Sequence, residues 1–128
     1  MNNRVTFRKS ERISLKREID CLFQHGESFV SYPLRVVYLE QKPSSETKVS
    51  VLISVPKRKI KHAVKRNRMK RLIREAYRLN KATLIEHYKG KESGLLIAFL
   101  FIGNEICNWD IIEESVQKAI RTLVEKTE

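Results

Sequence analysis

The sequence predicts an α+β fold, one domain in which helices cover a small sheet, and three features predict it. Gly94 to Gly103 is an apolar run bounded by glycines, as a strand covered on both faces requires. Lys48 to Val55 alternates Val49, Val51, Ile53 and Val55 with Ser50, Leu52 and Ser54, the period of a half-buried strand. Trp109, Ile112, Val116, Ala119, Ile120 and Leu123 form an apolar stripe at helical spacing. With 128 residues and 41% hydrophobic content, the chain holds one core and is too short for two domains of ordinary size.

Taken in order, Lys16 to His25 places Ile19, Leu22 and Phe23 at helical spacing and meets a helix stop at Gly26. Leu34 to Leu39 and Lys48 to Val55 read as two paired strands, with Lys42-Pro43-Ser44-Ser45-Glu46 as their hairpin loop. Pro56 follows the second strand, where a missing backbone donor is tolerated. A helical region runs from about Lys59 to Tyr88, with a possible break near Arg66-Asn67-Arg68. The apolar strand 94–103 belongs in the middle of the sheet, and the last helix starts on a capping box of Asp110 and Glu113. The order is therefore helix, two or three strands, one or two helices, strand, helix. Residues 1–128 are expected to form one domain, with about eight N-terminal and about four C-terminal residues flexible.

The charge is uneven. Lys and Arg number 26 against 15 Asp and Glu, a net charge of +11, and residues 57 to 74 contain ten of the basic residues and no acid. That segment carries +10 of the +11, which marks a dedicated patch for a polyanion. On a helix, Met69, Leu72, Ile73, Ala76 and Leu79 fall on one arc, with Asn67, Lys70, Arg71, Arg74 and Arg78 roughly opposite and Arg66 on the flank. An ordinary solvated face would interleave glutamates at i,i+4, and Glu75 is the first acid reached. Arginine bonds phosphate bidentately and stacks on bases, so about five such contacts make binding steeply salt-dependent.

Membrane binding fits poorly. The longest apolar run, Leu95 to Ile102, is eight residues, and a bilayer needs about 20. The basic start lacks the apolar stretch of a signal peptide, so a cytoplasmic location is expected. Cys21 and Cys107 stand apart with no ligand spacing and read as buried or semi-buried thiols. His25, His62 and His87 are dispersed and read as surface or structural residues.

The stretch Lys65-Arg66-Asn67-Arg68-Met69-Lys70-Arg71-Leu72-Ile73-Arg74-Glu75-Ala76 closely resembles the Arg-Asn-Arg signature of the protein subunit of bacterial ribonuclease P. The similarity extends to Lys9-Ser10-Glu11-Arg12-Ile13, to Leu22-Phe23-Gln24-His25-Gly26, to Ser50 through Val55 and to Lys57-Arg58-Lys59 before Ala63-Val64. This resemblance implies a single α/β sandwich with a left-handed strand-helix-strand crossover. It implies that the catalytic RNA carries the chemistry with magnesium, and that the protein alone binds no cofactor and is not catalytic. The partners implied are the ribonuclease P RNA and precursor tRNA, with no membrane and no small-molecule substrate. The protein would then be a subunit of an endoribonuclease that removes the 5′ leader, held between the first helix and the sheet.

Carried onto this sequence, the RNA-binding positions are Arg66, Asn67, Arg68, Lys70, Arg71 and Arg74, with Arg12, Lys59 and Lys65 beside them. The leader cleft takes Phe23 and Ile19 from the first helix; Tyr38 and Arg35 are candidates on a strand that could line it, and the sequence does not say which of that strand's two faces is wet. Ile19 stands where many members have a second aromatic, and Lys61 where many have glycine. Two other readings stand beside this one. A ribosomal-protein-like or chaperone-like assembly factor would bind structured RNA without promoting leader removal. A stand-alone nuclease would use His62 or Glu75 to position metal or water, and it lacks the carboxylate cluster or paired nucleophile and base that this chemistry needs.

Overall fold

The computed structural model describes residues 11–13, 15–42 and 47–128. The first helix, α1 (Lys16–His25), has the predicted bounds. It ends because the Gly26 N–H bonds the Leu22 carbonyl at 2.9 Å while the chain turns extended. A Cβ at Gly26 would collide with the carbonyl oxygens of Leu22 and Tyr38, so only glycine lets the chain pass directly from helix to sheet.

Four strands follow: β1 (Glu27–Ser31), β2 (Leu34–Gln41), β3 (Val49–Ser54) and β4 (Gly94–Phe101), in the sheet order β1-β2-β4-β3. The first two form a hairpin through Tyr32 and Pro33. The expected pairing of β2 with β3 is not formed, so the stretch between them is no hairpin loop; its residues 43–46 lie outside the described set. Instead β4 lies between them, antiparallel to β2 from Leu34↔Phe101 to Gln41↔Gly94 and parallel to β3 from Val49↔Leu95 to Ser54↔Leu100. The reason is burial. Leu95, Leu96, Ile97, Ala98, Phe99 and Phe101 are all buried, and only an inner position covers both faces of so apolar a strand.

Between β3 and β4 the chain crosses over through α2 (Ala63–Asn80) and α3 (Ala82–Tyr88). Two details differ from expectation. The helix starts at Ala63 and not Lys59, because the amides of Lys59 and Ile60 close a separate turn on the Pro56 carbonyl at 3.0 and 3.2 Å. The break falls at Lys81 and not at the Arg-Asn-Arg element: Lys81 is 1% exposed, and its Nζ lies 2.5 Å from Glu11 Oε1.

The sheet has two unequal faces. Leu34, Val36 and Tyr38 of β2, Val49 and Val51 of β3, and Leu95, Ile97, Phe99 and Phe101 of β4 join the core formed with α2, α3 and the last helix, α4 (Trp109–Lys126). The helix α2 contributes Met69, Ile73, Ala76 and Tyr77. Leu79, expected on this arc, is 48% exposed, and Tyr77 takes the buried place one turn after Ile73. Burial holds the Tyr77 phenol well above the ordinary tyrosine range, with the Glu11 carboxylate adding to the effect. The opposite face carries a smaller cluster, in which Val37, Leu96 and Ala98 pack with Ile13 and Leu22.

The cap of α4 is Asn108, whose Oδ1 accepts the Ile111 amide at 3.2 Å. The Asp110 and Glu113 capping box is therefore not formed, since those residues already lie inside the helix. At the other end Thr127 is buried, and its Oγ1 meets His87 Nε2 at 3.1 Å.

Candidate nucleic-acid interface

Six of the ten cations of the basic run, Lys65, Arg66, Arg68, Lys70, Arg71 and Arg74, lie on α2, and the other four precede it in the turn from Lys57 to Lys61. Met69, Ile73, Ala76 and Tyr77 anchor the helix on the sheet, while Lys65, Asn67, Arg68 and Arg71 are exposed and Lys70 and Arg74 are half-buried. A helix held by one apolar face keeps its other face fixed in orientation, so these cations rise from a fixed backbone. Glu75, the first acid, is turned to Arg78, whose guanidinium hydrogen-bonds it and holds its carboxyl below the usual range. It therefore does not neutralise the array.

Arg66 differs from its neighbours. Its Nη1 donates to the carbonyls of Ile60 (3.0 Å) and Lys61 (2.7 Å), tying the turn before α2 to the first turn of the helix. Charge-assisted bonds of this kind are stronger than neutral ones. Arg66→Ala is expected to lower unfolding stability by about 1–2 kcal/mol, with Arg66→Lys recovering only part, as measured by urea denaturation. A loss below the error of that measurement would show that these bonds are solvent-compensated.

The array sits where several connections converge. Ser54 of β3 leads into the basic turn Lys57 to Lys61, and Leu100, its partner in β4, leads into the segment before α4. The β1–β2 turn is at the same end of the sheet, because Leu34 pairs with Phe101. Lys59 Nζ reaches Asn104 Oδ1 at 3.4 Å across this end. Arg12 stands away from it, exposed and in a parallel bridge to Val51 at the outer edge of β3.

On the face opposite α2, α1 covers only part of the sheet. Leu22 is buried and Ile19 half-buried against the small cluster, whereas Phe23 is 47% exposed. An aromatic left this open beside a sheet is available for stacking. One register row on this face, Val30–Arg35–Leu100–Ser54, has Val30 and Arg35 exposed and Leu100 and Ser54 half-buried. Arg35 therefore lies on the α1 side of the sheet. Tyr38 does not. It is 6% exposed in the larger core, its ring 5.9 Å from Phe29, because its odd separation from Arg35 sends the two side chains to opposite faces. Burial and the nearby carboxylates of Glu27 and Glu40 raise its phenol above the ordinary range. Val30, Leu100 and Ser54 were not singled out from the sequence, and only the register reveals them.

Cys21 and Cys107 are half-buried, as expected. His25 and His62 are exposed. Among the described residues, no group of three or more His, Cys, Asp or Glu side chains could hold a metal ion.

The family model for ribonuclease P matches residues 7–124. The chain belongs to the ribonuclease P protein family. It is 43% identical over 112 residues to the ribonuclease P protein component of Porphyromonas gingivalis strain ATCC 33277, covering 88% of this chain and 82% of that one. With the corresponding component of Chlorobium phaeobacteroides the identity is 34% over 130 residues, covering 92% and 88%. The fold is similar to that of the Staphylococcus aureus RNase P protein, with a TM-score of 0.68 at 21% identity over 90% of this chain and 96% of that one. It is also similar to the Thermotoga maritima RNase P protein, at 0.53 and 24% over 91% of each. The chain is thus a protein component of ribonuclease P, an endoribonuclease ribonucleoprotein of tRNA processing, and a subunit of the holoenzyme with the ribonuclease P RNA as its partner.

Proposed function

We propose that this subunit binds the ribonuclease P RNA through the basic side of α2 and holds the 5′ leader of precursor tRNA against the open row of the sheet beside α1. The observation that carries this reading is the placement of ten cations, with no acid among them, in residues 57 to 74, six of them on a helix anchored by a buried apolar stripe. Arg68, Arg71 and Arg74 fork phosphate, Lys70 neutralises it as a point charge, Asn67 donates to phosphate or sugar, and Lys59 and Lys65 extend the field. Arg12 adds charge at the far edge of the sheet. The partly exposed Phe23 stacks a leader base, Ile19 lines the cleft beneath it, and Arg35 meets the leader backbone.

In this reading the RNA performs the cleavage with magnesium, in the cytoplasm, and the protein contributes affinity and position. Holding the leader raises the local concentration of substrate at the RNA and screens the repulsion between two polyanions. The test is cleavage of precursor tRNA at low magnesium by a bacterial ribonuclease P RNA, with and without this chain, using a long leader and a leader of one nucleotide. The expected result is a much larger acceleration for the long leader. Binding of both RNAs with no change in either rate would replace leader recognition by the assembly-factor reading.

A further inference from the structure

A groove of about 730 Å³ opens at the same end of the sheet, between the β1–β2 turn, the start of α2 and the segment 104–108. The exposed side chain of Tyr32, 66% accessible, stands at one wall, and Arg68 of α2 reaches it from another. Asn104 and Asn108 bring amides, and Ile106 and Ile111, both about half exposed, bring apolar surface. We propose that this groove is a pocket for one unpaired nucleotide of the ribonuclease P RNA, held by stacking on Tyr32 with its phosphate on Arg68.

The chemistry supports that occupant. An exposed aromatic ring beside an arginine is the pairing by which proteins hold single-stranded bases, and an asparagine amide can read a base edge. Apolar rims cover the remaining ring surface, and the volume lies within the range of small-ligand sites. Glu105 is the one acidic side chain on the lining, and a carboxylate can accept from a base amino group. Cys107, also on the lining, has its thiol pushed up by burial and by Glu105, so it adds no second negative charge there.

The walls are held in place before any ligand arrives. The Ile102 amide donates to the Pro33 carbonyl at 2.8 Å, and Gly103 packs so closely that a Cβ there would meet the Phe101 ring at 2.9 Å and the Pro33 side chain at 3.2 Å. The Cys107 amide contacts Met69 Sδ of α2 at 3.4 Å. The turn, the segment and the helix are therefore joined by direct contacts, and Lys59 joins Asn104 to the basic array.

This inference rests on the proposed RNA contact of α2, and the experiment separates the two. Binding of the full chain to a transcribed bacterial ribonuclease P RNA is measured over a salt series for Tyr32→Ala, Tyr32→Phe and Arg71→Ala. The base-edge reactivity of the RNA toward dimethyl sulfate is mapped in parallel. Loss of one stacked base is expected to weaken Tyr32→Ala about tenfold with an unchanged salt slope, while Tyr32→Phe stays within about twofold. Arg71→Ala should lower the slope by about one. One unpaired base should be shielded by the unsubstituted chain and by Tyr32→Phe, and exposed with Tyr32→Ala.

If Arg71→Ala weakens binding and Tyr32→Ala does not, the pocket is overturned and the α2 interface stands. If neither does, the interface itself fails and the pocket with it. A Tyr32→Phe variant as weak as Tyr32→Ala overturns stacking in favour of the hydroxyl. Weakened capture of precursor tRNA by the holoenzyme, with binding of the ribonuclease P RNA intact, overturns the assignment to that RNA. Because Tyr32 is largely exposed at a turn, these variants are expected to keep the unfolding midpoint of the parent chain, which urea denaturation checks.

Discussion

Replacing Arg68, Lys70, Arg71 and Arg74 together by glutamine is expected to weaken binding of the ribonuclease P RNA about a thousandfold at about 0.15 M salt, and to lower the salt slope by roughly three. The magnitude follows from counterion release, since each lost phosphate contact removes somewhat less than one ion from the exponent. These four are chosen because their side chains lie on the exposed or half-exposed side of α2, and among the described residues none of them forms an ion pair. Arg66 and Arg78 are left unchanged. The first holds the carbonyls of Ile60 and Lys61, and the second holds Glu75, so their removal would mix folding with binding. Glutamine keeps the helix propensity and the stem that packs on the surface, which makes charge the variable. The measurement is filter binding between 50 mM and 500 mM salt. A slope within half a unit of the parent value would remove this face of α2 from the interface.

The elements were more legible than their pairing. The bounds of α1 could be read because the apolar spacing ends at a glycine, and the inner place of β4 because its run is apolar throughout. The partner of β3 could not. Strands close in sequence pair by default, and nothing local to Leu34–Gln41 or Val49–Ser54 shows that a strand some forty residues further on enters between them. The basic helix was legible as a charge pattern with Arg66 on its flank, but nothing in that pattern showed that Arg66 is bound to the carbonyls of the preceding turn. Tyr38 illustrates a different limit. Alternation shows that Arg35 and Tyr38 must face opposite ways, and burial alone decides which of them joins the larger core. The groove at Tyr32 draws on three separate segments, so no spacing in the sequence could announce it.

Lys81 carries the largest expected effect on stability. A lysine at a helix junction reads from sequence as a solvated cation, but its partner is Glu11, seventy residues away, and both side chains are withdrawn from water. Removing one member of a buried pair leaves the other charge uncompensated, which typically destabilises by about 3–5 kcal/mol. Lys81→Ala is therefore expected to lower stability by that amount and the unfolding midpoint by roughly 10–20 °C, read by calorimetry and urea denaturation. The loss would be felt beyond the pair. Lys81 separates α2 from α3, and Glu11 precedes Ile13, whose amide bonds the Val51 carbonyl at 3.1 Å, so one interaction joins the crossover to the outer edge of β3. Lys81→Met should be nearly as damaging, because it fills the space and still removes the cation that pairs with the Glu11 carboxylate. Replacing Glu11 and Lys81 together by methionine should recover most of the loss, since two apolar side chains need no compensation. A deficit of less than about 1 kcal/mol in Lys81→Ala would mean that the pair behaves as an exposed one does. A double variant as unstable as the singles would instead assign the loss to packing at the junction.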